Sequence, residues 1–430
     1  MKNLTKKSMT TILLVIVFSF TINGQTNVSG GIYSNTTWTY ANSPYIVVDT
    51  VVVFPGVTLT IQPGVKVKFN DNKRLEIRQG SISALGTLMD SIIFTSNSSS
   101  PSSGKWSEIL LNQDVSSVFD FCHFNYAKTA VSRYNSDNNQ TLYIKNSTFD
   151  HNLISLDLTS NNFSNSFIDS CTFRNNKAVV LSPTNLSKII TMNYCTITNN
   201  QTGIDFAYST IQNSIIESND TAIKIHLNDN IINCQIRYNT LGILNQYISS
   251  TGGNVITGNE ISNNVVGISL NIDGDDISSN QICNNTSYNL KYLYTGGNTD
   301  VSNNCWCSLD SSIVSAKIYD GYDNFNYGLV HFMPFDTSQS CLIASVPTNT
   351  TLNYSFDIFP NPTSNFLTIV LPRNISTTEI KIFNILGELE YSSETTNPET
   401  NMDVSILQSG LHIIQIASNG RISRQKFIKQ

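Results

Sequence analysis

The stretch YCTITNN, Tyr194–Asn200, decides the fold because its pattern returns through the middle of the chain. With Cys195 as position zero, a Cys, Ser, Asn or Thr stands at the same place every 19 to 25 residues. These residues are Cys122, Ser147, Cys171, Cys195, Ser214, Cys234, Asn259, Asn280 and Thr299. A large apolar residue follows two places on in every copy. A period of about 22 residues, with short strands and no helical spacing, predicts a solenoid.

Positions zero and +2 share one face of a strand, because side chains alternate along it. The large +2 residue must point into the core, so the small residue at zero points inward as well. A small inward filler explains why Cys, Ser and Asn interchange at zero; a disulfide between neighbouring coils and a metal site are the alternatives. Positions +1 and +3 are expected to face solvent, Cys283 among them.

An asparagine stands five places after zero in eight of the nine copies. Because asparagine tolerates left-handed backbone, this position is expected to turn a corner of each coil. Stacked coil on coil, the amides would also form a hydrogen-bonded ladder. The predicted column consists of Asn152, Asn176, Asn200, Asn219, Asn239, Asn264, Asn285 and Asn304.

These repeats resemble the right-handed parallel β-helix family, the pectate-lyase-like solenoids. The resemblance covers residues 119–304 and implies first coils with an N-terminal cap over 25–118 and a C-terminal cap over 305–335. Both ends need covering, since an open solenoid end exposes unpaired backbone groups. A glycine is expected where Cys307 stands. The expected plug consists of Trp306, Ile313, Ile318 and Phe335.

Residues 1–24 have the pattern of an export signal, since three lysines precede an apolar run too short to span a membrane. The chain has 430 residues, of which 13% are charged, and its net charge is −6. This balance offers no basic surface for nucleic acid. An exported all-β protein without a nucleic-acid partner is therefore expected.

The tail, residues 354–430, follows a linker rich in Ser, Thr and Asn over 336–353. Its short alternating strands predict a small Ig-like β-sandwich. Its motifs, Pro360-Asn361-Pro362, Gly387 and Gly410, resemble the type A C-terminal sorting domain of type IX secretion. The resemblance implies the type IX machinery as partner and the outer surface of a Gram-negative cell as destination. It further implies removal of the tail, followed by attachment to surface lipopolysaccharide or by release.

Two groups are candidates for metal or redox chemistry. Asp273, Asp275 and Asp276 form the densest acidic cluster, which is either a solvated turn or a weak Ca²⁺ site; no other metal or cofactor is expected. An exported thiol near the C-terminal cap tends to oxidise, so a disulfide of Cys341 with Cys305 or Cys307 is expected.

Enzymes of the family that the repeats resemble cleave acidic polysaccharides with clustered carboxylates and a base. The outward positions show no such recurrence, so no catalytic residues are assigned. The expected function is a non-catalytic surface protein for adhesion, glycan binding or surface structure. A polysaccharide lyase or glycoside hydrolase is the alternative. A groove that joins two or three carboxylates to a basic residue would favour it.

Overall fold

The computed structural model describes residues 24–134, 140–159, 165–181, 189–245, 253–337, 356–371, 378–384, 388–397, 399–418 and 421–430. The predicted export signal and most of the predicted linker lie outside these ranges. Within the described ranges, no helix has the length and apolar character to cross a membrane. The chain divides into two compact units, Met1–Leu342 and Ile343–Gln430.

The first unit is a parallel β-solenoid, because its strands pair in parallel with the coils before and after them. Face 1 consists of Thr36–Trp38, Thr58–Ile61, Ser81–Leu85, Ser116–Asp120, Thr141–Lys145, Asn165–Asp169, Ile189–Asn193, Thr210–Gln212, Asn230–Ile232, Val255–Thr257 and Asp276–Ser278. Face 2 consists of Lys66–Phe69, Ile92–Ser96, Cys122–Asn125, Thr148–Asp150, Thr172–Arg174, Thr196–Thr198, Ile215–Glu217, Gln235–Arg237, Glu260–Ser262 and Gln281–Cys283. Face 3 consists of Leu75–Arg78, Trp106–Asn112, Ala127–Tyr134, Ile154–Asp157, Ala178–Leu181, Thr202–Phe206, Thr221–Ile225, Leu241–Asn245, Val266–Leu270, Tyr288–Tyr292 and Ile318–Tyr319.

The first coil is less regular. Tyr45–Val53 pairs with the strands that begin both face 2 and face 3, and Thr26–Ile32 pairs alongside it. A short 3-10 helix, Tyr40–Asn42, lies in the same coil. Apolar residues of these strands belong to the same core as the later coils, so the N-terminal segment is continuous with the solenoid.

Residues that share a position in successive coils build the core. The +2 residues pair in register, Phe149 with Phe173 and Phe173 with Ile197. The rings of Phe94, Phe124, Phe149 and Phe173 stack with successive centroid distances of 5.0, 4.5 and 4.8 Å. The position-zero side chains are buried beside them, which confirms that both positions point inward.

The left-handed residue at each corner is at position +4, and not at +5 as expected. Its φ lies between 56° and 67° in the repeats, for example 56° at Asn199, one residue before Asn200. The +4 side chain points away from the core, and Asn199 is exposed. The +5 side chain instead points inward, where its amide forms hydrogen bonds to the neighbouring coils. The backbone of the +5 residue is not left-handed.

Two columns of asparagine side chains run through the solenoid from coil to coil. In the first column, Oδ1 of Asn176 accepts hydrogen bonds from N and Nδ2 of Asn152 at 2.9 and 3.1 Å. The same bonds link each member to the next. The members are Asn152, Asn176, Asn200, Asn219, Asn239, Asn264 and Asn285. Asn289 closes the column, since its Oδ1 accepts from Nδ2 of Asn285 at 3.0 Å.

The placement of Asn304 in that first column was wrong. Asn304 instead ends the second column, whose members are Asn259, Asn280 and Asn304. In this column, N and Nδ2 of Asn280 donate to Oδ1 of Asn304 at 2.9 and 3.0 Å. A bridge between Gln281 and Cys305 fixes the same register. Asn304 is therefore position zero of the last coil, because Thr299 belongs to a separate parallel pair formed by Thr299–Asp300 and Val330–His331.

The C-terminal cap closes the solenoid with a short helix, Ser311–Ser315. Asp310 caps it by accepting a hydrogen bond from the backbone N of Ser312 at 2.8 Å. The helix buries Val314, whereas Ile313, expected in the plug, is 57% exposed. Trp306 and Ile318 are buried and Phe335 packs against the core, as expected. Cys307 has a φ of 55°, a left-handed backbone that glycine, the residue expected there, adopts most easily.

The second unit consists of two antiparallel sheets. One contains Asp357–Phe359, Phe366–Val370 and Glu399–Asp403, and the other Thr378–Phe383, Leu389–Thr395, Gly410–Ser418 and Arg421–Lys429. Side chains from both sheets, such as Ile369 and Ile414, form a single apolar core. The tail is therefore the small β-sandwich that its strand spacing predicted.

Candidate functional site

The outer side of face 2 carries paired charges and not a row of carboxylates. Asp150 lies 3.1 Å from Nε of Arg174 and 2.6 Å from Nδ1 of His151. Glu217 and Arg237, on the second and third coils after that of Arg174, form an ion pair of 3.4 Å that is almost fully buried. These two carboxylates are thus balanced by cations, whereas Glu260 on the same face accepts a hydrogen bond from the hydroxyl of Ser262 at 2.7 Å.

The predicted calcium cluster is not brought together. Asp273, which is partly exposed, accepts a hydrogen bond from the backbone N of Gly274, and exposed Asp276 accepts one from the hydroxyl of Ser278. Asp275 is buried. Within the described residues, no three His, Cys, Asp or Glu side chains converge as a metal site. The geometry does not support the weak Ca²⁺ alternative, because the middle carboxylate turns inward.

Asp275 ends a third polar column at the turn between face 3 and face 1. Its oxygens accept from Nδ2 of Asn245 at 2.6 Å and from Nδ2 of Asn254 at 2.8 Å. Two coils before Asp275, Asp229 accepts from the backbone N of Ser209 at 3.0 Å. Burial raises the pKa of Asp229 to about 8 and also raises the pKa of Asp275. Hydrogen bonds to backbone N–H groups only partly offset this cost.

Stability of the solenoid should therefore fall as pH rises from about 4 to about 8. Asp229 holds its proton more tightly when folded than in the unfolded chain, where its ordinary pKa is 3.8. The stabilisation is thus complete below that value and lost as pH approaches 8. Asp229→Asn should flatten the fall in melting temperature between pH 5 and pH 8. Exposed Asp276→Asn is the control, and equal slopes for both variants and the parent would contradict the assignment.

Close to this column, a carboxylate on the outer side of face 3 contacts two basic side chains. Oδ1 of Asp205 lies 2.7 Å from Nε2 of His226, and its Oδ2 lies 3.8 Å from Nζ of Lys224. All three are partly exposed. Asp205 is a candidate catalytic group, since a His and a Lys beside it could transfer protons.

The cysteines divide into two classes. Cys122, Cys171, Cys195 and Cys234 are buried free thiols. Burial raises the pKa of Cys195 to about 12, so it is a poor nucleophile and metal ligand at neutral pH. This supports the filler interpretation over the disulfide and metal alternatives for position zero.

Cys283 and Cys307 form a disulfide. They stand at the same +3 position of consecutive coils, with Cα atoms 5.8 Å apart. Cys283 is consequently buried, and not exposed as expected. The pairing of Cys307 with Cys341 is therefore wrong. Cys305 is also disulfide-bonded. Cys341 lies outside the described residues, so the pairing of Cys305 with Cys341 stays a prediction.

Alkylation of the unfolded chain without reductant tests this arrangement. If both disulfides exist, four of the eight cysteines should react, namely the four buried thiols. If only Cys283–Cys307 exists, six should react. The number of labels is read by intact mass, and a reduced sample, in which all eight react, is the control. Labelling of Cys283 or Cys307 without reductant would contradict the structure.

A strip of apolar and aromatic side chains follows face 3 toward its C-terminal end. Its members lie at outward positions of successive strands and are partly exposed. We call Leu241, Leu244, Val266, Tyr288, Lys291 and Tyr319 the face 3 strip. The register is continuous, because Val266 pairs with both Leu241 and Tyr288. Such a strip is suited to contact an extended ligand.

The sequence places some residues of this surface at a fixed spacing, but at a position that lies outside the aligned repeat motif. The outward column lies one residue after the apolar +9 position, where Asp205, Lys224 and Leu244 stand. Lys291 falls one further place out of step, and Tyr319 falls further out still, because the C-terminal cap precedes it. Only the coil-to-coil register reveals that these residues share a surface.

The motif of the tail is attached to its last strand. Oδ1 of Asn361 accepts from the backbone N of Ile428 at 2.9 Å, and its Nδ2 donates to the backbone O of Lys426 at 3.2 Å. The flanking Pro360 and Pro362 hold this asparagine in a turn at the edge of the sandwich. The turn and the C-terminal strand Arg421–Lys429 thus form one unit.

The two glycines of the motif differ. Gly410 begins the long strand Gly410–Ser418 with a φ of 147°. No heavy atom outside its chain neighbours lies within 4 Å of where a Cβ would stand. Its role is therefore conformational. Gly387 lies outside the described residues, and its predicted hairpin turn stays a prediction.

Residues 357–430 match the family described as the secretion system C-terminal sorting domain. A stretch of 66 residues is 38% identical to ulvan lyase NLR42 of Nonlabens ulvanivorans, covering 15% of this chain. The chain spans 12% of the length of that curated relative.

The A-module of mannuronan C-5 epimerase AlgE6 from Azotobacter vinelandii also resembles the chain. The comparison covers 71% of this chain and 86% of that module at 11% identity, with a TM-score of 0.23. That likeness is too weak to support an argument. The sorting tail is a different matter: behind a parallel β-solenoid, the chain carries a type IX secretion sorting domain, which directs it out of the cell to the cell surface.

Proposed function

We propose that the chain is a non-catalytic protein of the cell surface whose solenoid binds glycans. The observation on which this proposal depends is the face 3 strip, whose mostly apolar and aromatic residues lie in coil-to-coil register. One of its columns, Leu241, Val266 and Tyr288, is unbroken, whereas Ser269 stands between Leu244 and Lys291 in the other. Folded proteins rarely leave such contiguous surface open without a binding role. After export the tail would be removed and the solenoid attached to surface lipopolysaccharide.

The charge pattern supports binding over cleavage. Lyases and hydrolases of acidic polysaccharides need two or three carboxylates together with a base. In the described part of the chain, Asp150 and Asp205 each pair with two cations and with no second carboxylate: Asp150 contacts Arg174 and His151, and Asp205 contacts His226 and Lys224. In the first coils, Glu76 and Glu108 share Arg74 at 3.0 and 3.7 Å, but Glu76 is buried. A single paired carboxylate can hold a cation in place without assembling a hydrolytic pair.

The alternative is a polysaccharide lyase or hydrolase, and one observation favours it. Asp205, Lys224 and His226 form a partly exposed group in which a carboxylate orients an imidazole at 2.7 Å. His226 would then be the base, and Lys224 would stabilise developing negative charge.

One experiment separates the two functions. The whole chain is passed over immobilised neutral and acidic polysaccharides, and the same polymers are assayed for unsaturated products by ultraviolet absorbance and for reducing ends. Retention without product is expected. Product formation that disappears in His226→Ala would overturn the proposal in favour of the enzyme, whereas product that persists in this variant would point to a contaminant.

A further inference from the structure

The C-terminal end of the face 3 strip contains an ammonium group between two aromatic rings. Nζ of Lys291 lies 5.8 Å from the ring centroid of Tyr288 and 5.3 Å from that of Tyr319. The two rings meet edge to face, with centroids 5.5 Å apart and an interplanar angle of 67°. The rings hold the ammonium in place through their negative faces.

The ammonium of Lys291 differs from its neighbours in its partners. Lys317 donates to three backbone carbonyls, at 2.9 to 3.3 Å, and so holds the cap to the last coil. Lys224 lies near the carboxylate of Asp205. For Lys291, the contacts to described residues are the two ring contacts, and no described carboxylate is paired with it. Its charge is therefore open to an anion from outside.

The surroundings of Lys291 match a sugar better than a small inorganic anion. Tyr288 and Tyr319 are partly exposed and present ring surface beside the ammonium group. The ring centroid of a third tyrosine, Tyr327, lies 6.2 Å from that of Tyr319. Leu244 and Val266 extend the apolar surface along the strip. A sugar offers an apolar C–H face to aromatic rings, and its hydroxyl edge stays in water.

The loop that follows Tyr319 is fixed and carries further aromatic side chains. Buried Asp320 accepts from the backbone N of Tyr322 and from the backbone N of Val330, both at 2.9 Å. The loop exposes Tyr322 to 84% and Phe325 to 91%. The hydrogen bonds to buried Asp320 fix the two ends of the loop. The loop therefore presents these rings to a ligand without the entropy cost of ordering a mobile segment.

We infer that Tyr288, Lys291 and Tyr319 form a binding site for a negatively charged sugar unit of a polysaccharide. The rings stack on the sugar, and the ammonium of Lys291 binds its carboxylate or sulfate. The whole chain carries a net charge of −6, so attraction of a polyanion requires such a local cation. This inference rests on the proposed glycan-binding function and names the ligand class and the subsite.

The experiment compares three variants of the whole chain by binding to polygalacturonate, to a sulfated galactan and to neutral dextran. Lys291→Met keeps a long apolar side chain between the rings but removes the charge. Lys291→Arg keeps the charge. Lys145→Met is the matched control, because Nζ of Lys145 also lies over a tyrosine ring, 5.5 Å from the centroid of Tyr143, but on face 1. Thermal unfolding of each variant shows whether it is folded.

Lys291→Met should weaken binding to at least one of the two anionic polymers by about tenfold or more, because charge-assisted contacts are the strong ones. Lys291→Arg and Lys145→Met should stay within about threefold of the parent. The polymer that responds identifies carboxylate or sulfate as the ligand group.

Three results would overturn the inference. They are unchanged anionic binding by folded Lys291→Met, equal losses in Lys145→Met, and no binding of either anionic polymer by the parent. In the third case, retention on dextran would leave the proposed glycan-binding function intact and remove only the subsite. Product formation from the polymers would instead remove the non-catalytic function.

Discussion

Removal of residues 354–430 is expected to abolish display of the protein on the cell surface and leave the solenoid in the periplasm. The reason is that residues 357–430 are the sorting domain, with an apolar core of its own. The solenoid has a separate core and should remain folded without the tail. Surface protease accessibility and immunoblotting of periplasmic and surface fractions measure the outcome.

Two controls make this expectation specific. The tail fused to an unrelated exported reporter should bring that reporter to the surface, because the signal is contained in the sandwich. A full-length chain with Asn361→Ala loses the two bonds between the motif turn and the last strand, and should be exported less efficiently. Normal surface display of the truncated solenoid would disprove the role of the tail.

Replacement of Asn200 by Leu should cause a large loss of stability in the solenoid repeats. The amide of Asn200 accepts from N and Nδ2 of Asn176 and donates to the backbone O of Phe173 and to Oδ1 of Asn219, all between 2.9 and 3.1 Å. These partners are buried, and each one left unsatisfied costs about 1–3 kcal/mol. The total loss should be at least about 3 kcal/mol in denaturant unfolding.

The place where the structure opens is also predicted. Stability of a solenoid is close to a sum over neighbouring coils, so hydrogen exchange should accelerate at Asn176 and Asn219 and much less at distant coils. Cys195→Ser is the matched control from the same coil. Ser147 and Ser214 already occupy that column, so this variant should be nearly silent. Equal stability of Asn200→Leu and Cys195→Ser would refute the importance of the ladder.

The repeat alone was sufficient to predict the solenoid, because its information is local to each coil. Positions zero and +2 differ in size and alternate with polar residues, so the inward side of face 2 follows from residues such as Cys195 and Ile197. The corner was misplaced by one residue because Asn200 and Asn199 are both asparagine, and side-chain chemistry alone does not say which one has left-handed backbone.

The C-terminal end was harder to predict because two alignments of the last coil compete. Taking Thr299 as position zero places Asn304 at +5, whereas the structure uses Asn304 itself as zero. With that register, Trp306 falls on the inward +2 position and Cys307 on +3, beside Cys283. The correct alignment would therefore have predicted the disulfide between Cys283 and Cys307, in place of the pairing of Cys307 with Cys341.

The candidate binding surface could not be derived from the sequence in the same way. Lys291 and Tyr319 are 28 residues apart and become neighbours only because the cap strand Ile318–Tyr319 pairs with Tyr288–Tyr292. Surface positions also vary freely between coils, so no periodic signal marks them. Burial preferences predict the inside of a solenoid, whereas the outside depends on register and on the path of its connections.

The asparagine column gives the solenoid a direction that its strands alone would not show. Every amide donates toward the C-terminal neighbour and accepts from the N-terminal one, from Ala127, whose N–H donates to Asn152, to Asn289. The asparagine of a coil inserted between these two residues could accept from the preceding coil and donate to the following one. Growth by duplication of an internal coil is therefore chemically neutral for the column. The two columns of amides end at Asn289 and Asn304, so the C-terminal end is where the pattern of the column stops allowing a further coil.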